Sequence, residues 1–417
     1  MKLTYGIILP LYILSMPVMA NSFIDDSQGS LMSRNYYFDR EYTDPQKIGR
    51  AKDWTQGFIL NLKSGYTEGK VGLGLDLQAL TAIKIIGDSD YIASGLIPTD
   101  KITRERADTA SELGITGKIK YEDSELKIGT VMPFNPIISS SRSRLLPQTF
   151  RGTLFESKDI DNIELYAGYI DKVNHRDSTN YETMSITTSN GRFNAAQADN
   201  LSFLGSKYSP SKDTQYSLYY GIIDDLYAQA AFTFNNTYML TENTRLLSDL
   251  RFWNSNEHGR ALAGKIDNTL LTGNFGFNYN NHLLTLSTMQ NFGDTAHPYL
   301  SGGEVQLFVE GWGVDFLNPK EKVYSIRYDY NFQDYVPGLR AAIRYIKGTN
   351  IDLPQLGGNN LKEDSKAFKL QYNFQQSYLK GLSFRTRYMT SDNNFAKNTT
   401  FKPANETRIN IDYTWKF

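Results

Sequence analysis

Arg385 and Arg387 stand two residues apart in the run Leu382 to Tyr388, where polar and apolar residues alternate. In an extended strand such a pair shares one face, about 7 Å apart along the chain. A guanidinium grips a carboxylate through two parallel N–H donors, so two stacked arginines form a track for small anions. The same parity argument puts Lys118, Lys120, Lys127, Arg245, Arg251, Arg327, Arg340, Arg344, Lys369 and Arg408 on the polar faces of their own runs. Only Asp76, Glu125, Asp249, Asp329 and Asp412 oppose them there. The whole chain has a formal charge of -1, so the remaining acid must lie in connecting segments. Arg142 and Arg144 sit among serines in a segment stiffened by Pro133, Pro136 and Pro147. Any one of these cations could simply pair with a nearby aspartate. The cluster between residues 322 and 408 is better explained as a functional track.

Other chemistries find little support. The chain has no cysteine, which excludes disulfides, thiolate metal sites and a lipidated N-terminal Cys. His175, His258, His282 and His297 lack the spacing of a zinc motif and read as solvated loop histidines. Gly69, Gly72 and Gly74 lie on an alternating run with no helix after it, so they form no phosphate loop. No G-x-S-x-G elbow occurs. An enzyme, a cofactor and a metal are therefore not expected. Near-zero net charge gives no reason to expect nucleic acid.

The elements that would carry the track are strands. Tyr324, Ile326, Tyr328, Tyr330 and Phe332 alternate with Val323, Ser325, Arg327, Asp329 and Asn331. Val71 to Gln78, Asn274 to Tyr279 and Phe368 to Phe374 repeat the pattern. At the end, Ile409, Ile411, Tyr413, Trp415 and Phe417 share one face, as lipid-facing strands with an aromatic girdle do. About eighteen such strands can be marked, near 27–39, 52–64, 70–79, 111–121, 124–132, 149–157, 163–171, 199–208, 214–221, 226–234, 244–252, 273–279, 282–290, 322–332, 338–347, 366–374, 381–390 and 406–417. Connections alternate between short (65–69, 209–213, 280–281, 333–337) and long (80–110, 172–198, 292–321, 348–365). The pattern predicts an all-β transmembrane antiparallel barrel, with short turns on the periplasmic side and long loops outside.

Residues 1–20 read as a signal peptide, with Lys2 before an apolar stretch and Val18-Met19-Ala20 as the cleavage site. Residues 21–417 are the barrel. A spanning sheet must close because hydrocarbon offers no partner for a backbone amide. Eighteen strands enclose a lumen too wide for side chains to fill, so an aqueous channel follows unless something plugs it. Constriction then falls to loops folded inward, with 133–147 the best candidate.

Taken together and in order, several stretches resemble the OprD family of substrate-specific outer-membrane channels. They are Phe23 to Arg40, Trp54 to Leu75, Arg144 to Gly152 (RLLPQTFRG), Ala263 to Asn268, Gly293 to Leu300, Ser325 to Phe332, Lys380 to Tyr388 and the terminal Trp415-Lys416-Phe417. The resemblance implies an eighteen-stranded monomeric pore in the outer membrane of a Gram-negative bacterium, narrowed by inward loops and lined by a basic ladder that guides carboxylates. Positions matching the ladder are Arg385, Arg387, Arg408 and Lys369. Arg327, Arg344, Arg142 and Arg144 join them as candidates from the parity argument and the loop. Many members carry an acidic residue where this chain has Arg142, which points away from a cationic substrate. The expected partners are outer-membrane lipids and small anionic or zwitterionic solutes, a small monocarboxylate first and aromatic acids among them. Three alternatives stay open: a basic amino acid or peptide channel of the same family, a non-selective porin, and a plugged barrel serving as adhesin or receptor. A weak homotrimer is also left open.

Overall fold

Alternation along the chain is realised as one closed antiparallel sheet. In the computed structural model, which describes residues 21–43, 49–309, 314–395 and 402–417, the wall comprises eighteen strands. They are β1 (Gln28–Tyr42), β2 (Gly49–Lys63), β3 (Val71–Gly87), β4 (Thr109–Tyr121), β5 (Ser124–Val131), β6 (Thr149–Ile160), β7 (Ile163–Asn174), β8 (Leu201–Ser211), β9 (Thr214–Ile223), β10 (Tyr227–Thr241), β11 (Thr244–Glu257), β12 (Asp267–Tyr279), β13 (His282–Gly293), β14 (Lys322–Asn331), β15 (Leu339–Leu353), β16 (Gly358–Asn373), β17 (Leu382–Asn393) and β18 (Ala404–Lys416). Each pairs with its neighbours in sequence, and β18 pairs back onto β1 from Ser30↔Lys416 to Tyr42↔Ala404. Gly29 and Phe417 exchange backbone hydrogen bonds at the seam, at 2.6 and 3.0 Å. The proposed signal peptide, residues 1–20, lies outside the described residues.

Burial is inverted relative to a water-soluble protein, as a lipid solvent requires. On β9, Leu218 is 60% exposed and Tyr220 52%, while the intervening Ser217 and Tyr219 are 6% and 1% exposed. Outward faces are apolar and stand free for lipid; inward faces are polar and packed against loops.

All eighteen expected strands are found, but several run longer than the apolar pattern. The segment 348–365, expected as a long loop, is a hairpin: β15 and β16 continue upward and only residues 354–357 join them. The reason is physical. Above the membrane the ladder still forms, but the outward Asn350, Asp352, Lys362 and Asp364 have no lipid to face, so the apolar alternation stops before the strand does. Residues 224–226 likewise make a tight connection on the long-loop side. On the opposite side the turns are short, two residues at 122–123, 161–162, 212–213, 242–243 and 280–281. The short helix α1 (Asn21–Asp25) docks on the 64–70 turn, where the Gly65 N–H donates to Phe23 O at 2.9 Å.

Candidate functional site

The 132–148 loop crosses the lumen and is pinned to both walls. It holds its own shape first: Asn135 Oδ1 accepts the Ile137 and Ile138 N–H groups at 2.9 and 3.0 Å, and the Gln148 N–H donates to Ser141 O at 2.8 Å. One end packs on β9 and β11. Ile137 lies so close to Gly221 that a Cβ there would be 2.3 Å from its Cγ2, and Trp253 Nε1 donates to Pro136 O at 3.1 Å. The other end packs on β2, where a Cβ on Gly57 would be 2.9 Å from Leu145 Cδ1. Both glycines are needed for this close approach.

Its middle, Ser139 to Arg144, is gripped by other inward segments. Glu304 Oε1 accepts from Ser141 Oγ and from the Arg142 N–H, both at 3.0 Å. Arg176 Nη1 donates to the Oγ atoms of Ser141 and Ser143 at 2.9 and 2.7 Å. Arg144 Nε donates to Ser94 O at 3.2 Å and its guanidinium lies 5.3 Å from the Phe38 ring centroid. Burial, reinforced by nearby Arg408 and Arg176, pushes the Arg144 pKa well down. Loops 88–108, 132–148 and 175–200, with residues 294–309 and 314–321 of the fourth loop, thus meet inside the barrel.

The wall facing them is cationic. Register places Arg327 opposite Arg344, Lys369 opposite Arg387, and Arg387 opposite Arg408, with Arg344 and Lys369 diagonal neighbours. A row of five cations therefore runs across β14 to β18. Directly opposed like charges are costly, so such a row needs counter-ions or a task. Arg327 has one, paired in bidentate fashion with Asp329 at 2.7 and 2.6 Å. Arg344 donates to Ser325 Oγ at 3.0 Å and lies 5.3 Å from the Phe308 ring centroid. Toward β1 the carboxylates are shared. Glu406 pairs with Arg40 and Arg408, both at 2.5 Å, and with Arg387 at 3.4 Å. Asp412 pairs with Arg34 at 2.9 Å and with Arg385 at 3.4 Å. Five guanidinium groups share two carboxylates.

The sequence candidates divide accordingly. Arg408 and Arg344 are buried, and Arg408 also reaches Ser143 O at 3.4 Å, tying wall to loop. Arg144 is committed to loop contacts. Arg385 keeps 40% of its side chain exposed, and its buried Nε has no hydrogen-bond partner among the described residues. Arg142 is exposed and Lys369 half-buried; neither makes an ion pair among the described residues. Arg142 lines a cavity of about 720 Å³ on the turn side of the loop, with Arg34, Lys127, Asp76, Glu125 and the 68%-exposed Phe134. Sequence reasoning left out Glu406, although it shares the Arg408 face, and Arg34 and Arg40, whose face is blurred by inward Tyr36 and Phe38. Glu304 and Arg176 gave no local signal.

The histidines need one correction. His297 is not a solvated loop residue: it is 2% exposed, edge-on to Trp253 with ring centroids 5.7 Å apart, and burial pushes its pKa down to about 3.

A second polar cluster fastens the 294–321 loop to the wall. Asn318 Nδ2 donates to Glu321 Oε2 at 2.9 Å and to Glu363 Oε1 on β16 at 3.0 Å. Arg192 pairs with Asp315 through two bonds of 2.6 and 2.7 Å. Glu321 and Glu363 are 0% and 2% exposed, both accept from Asn318 Nδ2, and the other oxygen of each, Glu321 Oε1 and Glu363 Oε2, is buried without a hydrogen-bond partner among the described residues. Burial lifts the Glu321 pKa well above its ordinary 4.5. A glutamate with a raised folded-state pKa stabilises below its ordinary pKa, and that contribution is lost as pH rises through the raised value. Amide hydrogen exchange across 294–321 is therefore expected to be slower at about pH 5 than at about pH 8 once corrected for intrinsic rates, with the difference reduced in Glu321→Gln. An unchanged ratio in the variant would show that the pair does not hold the loop.

Comparison with known proteins agrees with this architecture. Residues 21–417 match the model of the outer membrane porin, OprD family. The chain is 48% identical to OccAB2 of Acinetobacter baumannii, with a TM-score of 0.91 over 95% of this chain and 99% of that one. It is 31% identical to Porin D of Pseudomonas aeruginosa over 94% of this chain and 92% of the relative. It is 29% identical to OpdK of Pseudomonas aeruginosa, solved with vanillate, with a TM-score of 0.86 over 95% of this chain and 100% of that one. The eighteen-strand barrel with inward loops and a cationic wall is thus an outer-membrane porin of a Gram-negative bacterium, and the chain belongs to the OprD family.

Proposed function

We propose that this porin favours small solutes bearing a carboxylate, and that Arg142, Arg385, Lys369 and Arg387 guide them through the constriction. The observation that carries the reading is the imbalance at β1, β17 and β18, five guanidiniums to two carboxylates, with the exposed Arg142 side chain on the inward loop making no ion pair among the described residues. Excess positive charge in a narrow, low-dielectric passage concentrates anions, and the open N–H donors of Arg385 suit a carboxylate fork. Arg408, Arg344, Arg327 and Arg144 act behind these, by shaping the wall and setting the potential. Vanillate, bound in the OpdK structure, is an aromatic carboxylate, and the exposed Phe134 beside Arg142 offers an aromatic face, so aromatic acids are the first class to test. The acids of the turn-side cavity do not favour a cationic solute, since Asp76 pairs with Lys118 at 2.6 Å and Glu125 with Lys127 at 2.5 Å.

The test is the reversal potential of the purified protein in a planar bilayer under a salt gradient. Anion selectivity, and its loss on adding an aromatic monocarboxylate to block the current, are expected. Cation selectivity would move basic amino acids to the front, and absence of current would favour a plugged barrel.

A further inference from the structure

The outer wall carries its own cationic cluster, separate from the lumen. On β14, β15 and β16, Tyr324, Tyr345 and Phe368 face outward, 58%, 37% and 42% exposed, and mark the edge of the lipid-facing belt. On each strand the next outward residue toward the long-loop side is a lysine: Lys322, Lys347 and Lys366. Register sets Lys347 directly opposite Tyr324 and Lys366 directly opposite Tyr345. Lys322 faces Thr349 and Lys347 faces Asp364, so successive lysines are diagonal neighbours, about 7–8 Å apart at Cα. All three are exposed.

Several other rim cations have carboxylate partners. Arg50 pairs with Asp39, Arg151 with Asp171, Arg260 with Asp225, Lys265 with Asp294 and Lys320 with Asp352, at 2.5 to 3.0 Å. Lys322, Lys347 and Lys366 make no ion pair among the described residues, although Asp364 stands directly opposite Lys347 and two residues before Lys366, with Asp392 opposite Asp364 on the next strand. Three ammonium groups, in excess over the Asp364 carboxylate beside two of them, thus stand in a diagonal line just above an aromatic girdle, at the level where apolar tails end and head groups begin. On the long-loop side that layer is the outer leaflet of an outer membrane, whose glycolipid carries phosphates. An ammonium near an anionic membrane surface is drawn to it, and several together add.

We propose that Lys322, Lys347 and Lys366 form a docking site for the phosphate groups of the outer-leaflet glycolipid, with its acyl chains lying on Tyr324, Ile326 and Phe368. The site lies outside the lumen and is independent of solute choice. Its test uses the full folded barrel in detergent and, as probes, bisphosphorylated lipid A and the same lipid with its phosphates removed, read by native mass spectrometry. Wild-type protein is expected to retain the bisphosphorylated lipid at least tenfold better than the dephosphorylated one. K322Q/K347Q/K366Q is expected to abolish that preference while keeping wild-type conductance and heat-modifiable gel mobility. Raised salt should weaken retention by the wild-type protein itself, a readout that needs no variant. Equal retention of both lipids by wild type, or an undiminished preference in the triple variant, would overturn the proposal.

Discussion

Glu406→Gln is expected to destabilise the barrel by about 3–5 kcal/mol, the range for removing one member of a buried ion pair and stranding the other. The side chain of Glu406 is fully buried, and its two oxygens serve Arg40, Arg387 and Arg408. A neutral amide keeps the shape but leaves three guanidiniums facing one another across β1, β17 and β18. Urea unfolding in lipid vesicles, followed by tryptophan fluorescence, measures the loss. Adding Arg387→Gln in the same chain should restore part of it, because one of the stranded charges goes with it. Channels of Glu406→Gln that do fold should be more anion-selective than wild type. A variant as stable as wild type would mean that lumen water, rather than Glu406, neutralises the arginines.

Arg142→Asp should do the opposite: little to stability, much to selectivity. The side chain is exposed and makes no ion pair among the described residues, while its backbone N–H, held by Glu304 at 3.0 Å, survives the substitution. Surface changes of this kind stay within about 0.5 kcal/mol. Two units of charge change at the narrow section, however, and charge focusing in such passages is worth roughly 10–10³ in encounter rate. The reversal potential should move toward the cation side, and uptake of aromatic monocarboxylates should fall about tenfold at low ionic strength, less at high salt. Undiminished uptake of every anionic solute would remove Arg142 from the solute path and leave Arg385 and Lys369 as the candidates.

The wall was legible because its physics is local. A strand with lipid on one side and water on the other must alternate, so period two marked all eighteen strands, their faces, and the residues of the cationic row from Arg327 to Arg408. Legibility failed where that boundary condition ends. β15 and β16 leave the membrane as a polar hairpin and so looked like a loop. The arginines were found, but how they are shared was not: Arg34 meets Asp412 378 residues away, and Arg142 meets Glu304 162 residues away. Contacts of that span arise only when the ring closes and the loops fold into it, and no spacing announces them. His297 illustrates the same limit, buried because another loop covers it.

The 132–148 loop acts as a crossbeam. Clamped at Gly221 by Ile137 and at Gly57 by Leu145, it ties β9 to β2 across the diameter of the ring. A beam fixed at both ends cannot swing like a gate. The free width beside it follows the distance between its supports, so any flattening of the barrel's cross-section is transmitted to the serines and Arg142 at mid-span. The aperture is then a mechanical property of the whole ring, and a substitution far from the lumen that alters the roundness of the wall changes what passes without touching a single residue of the solute path.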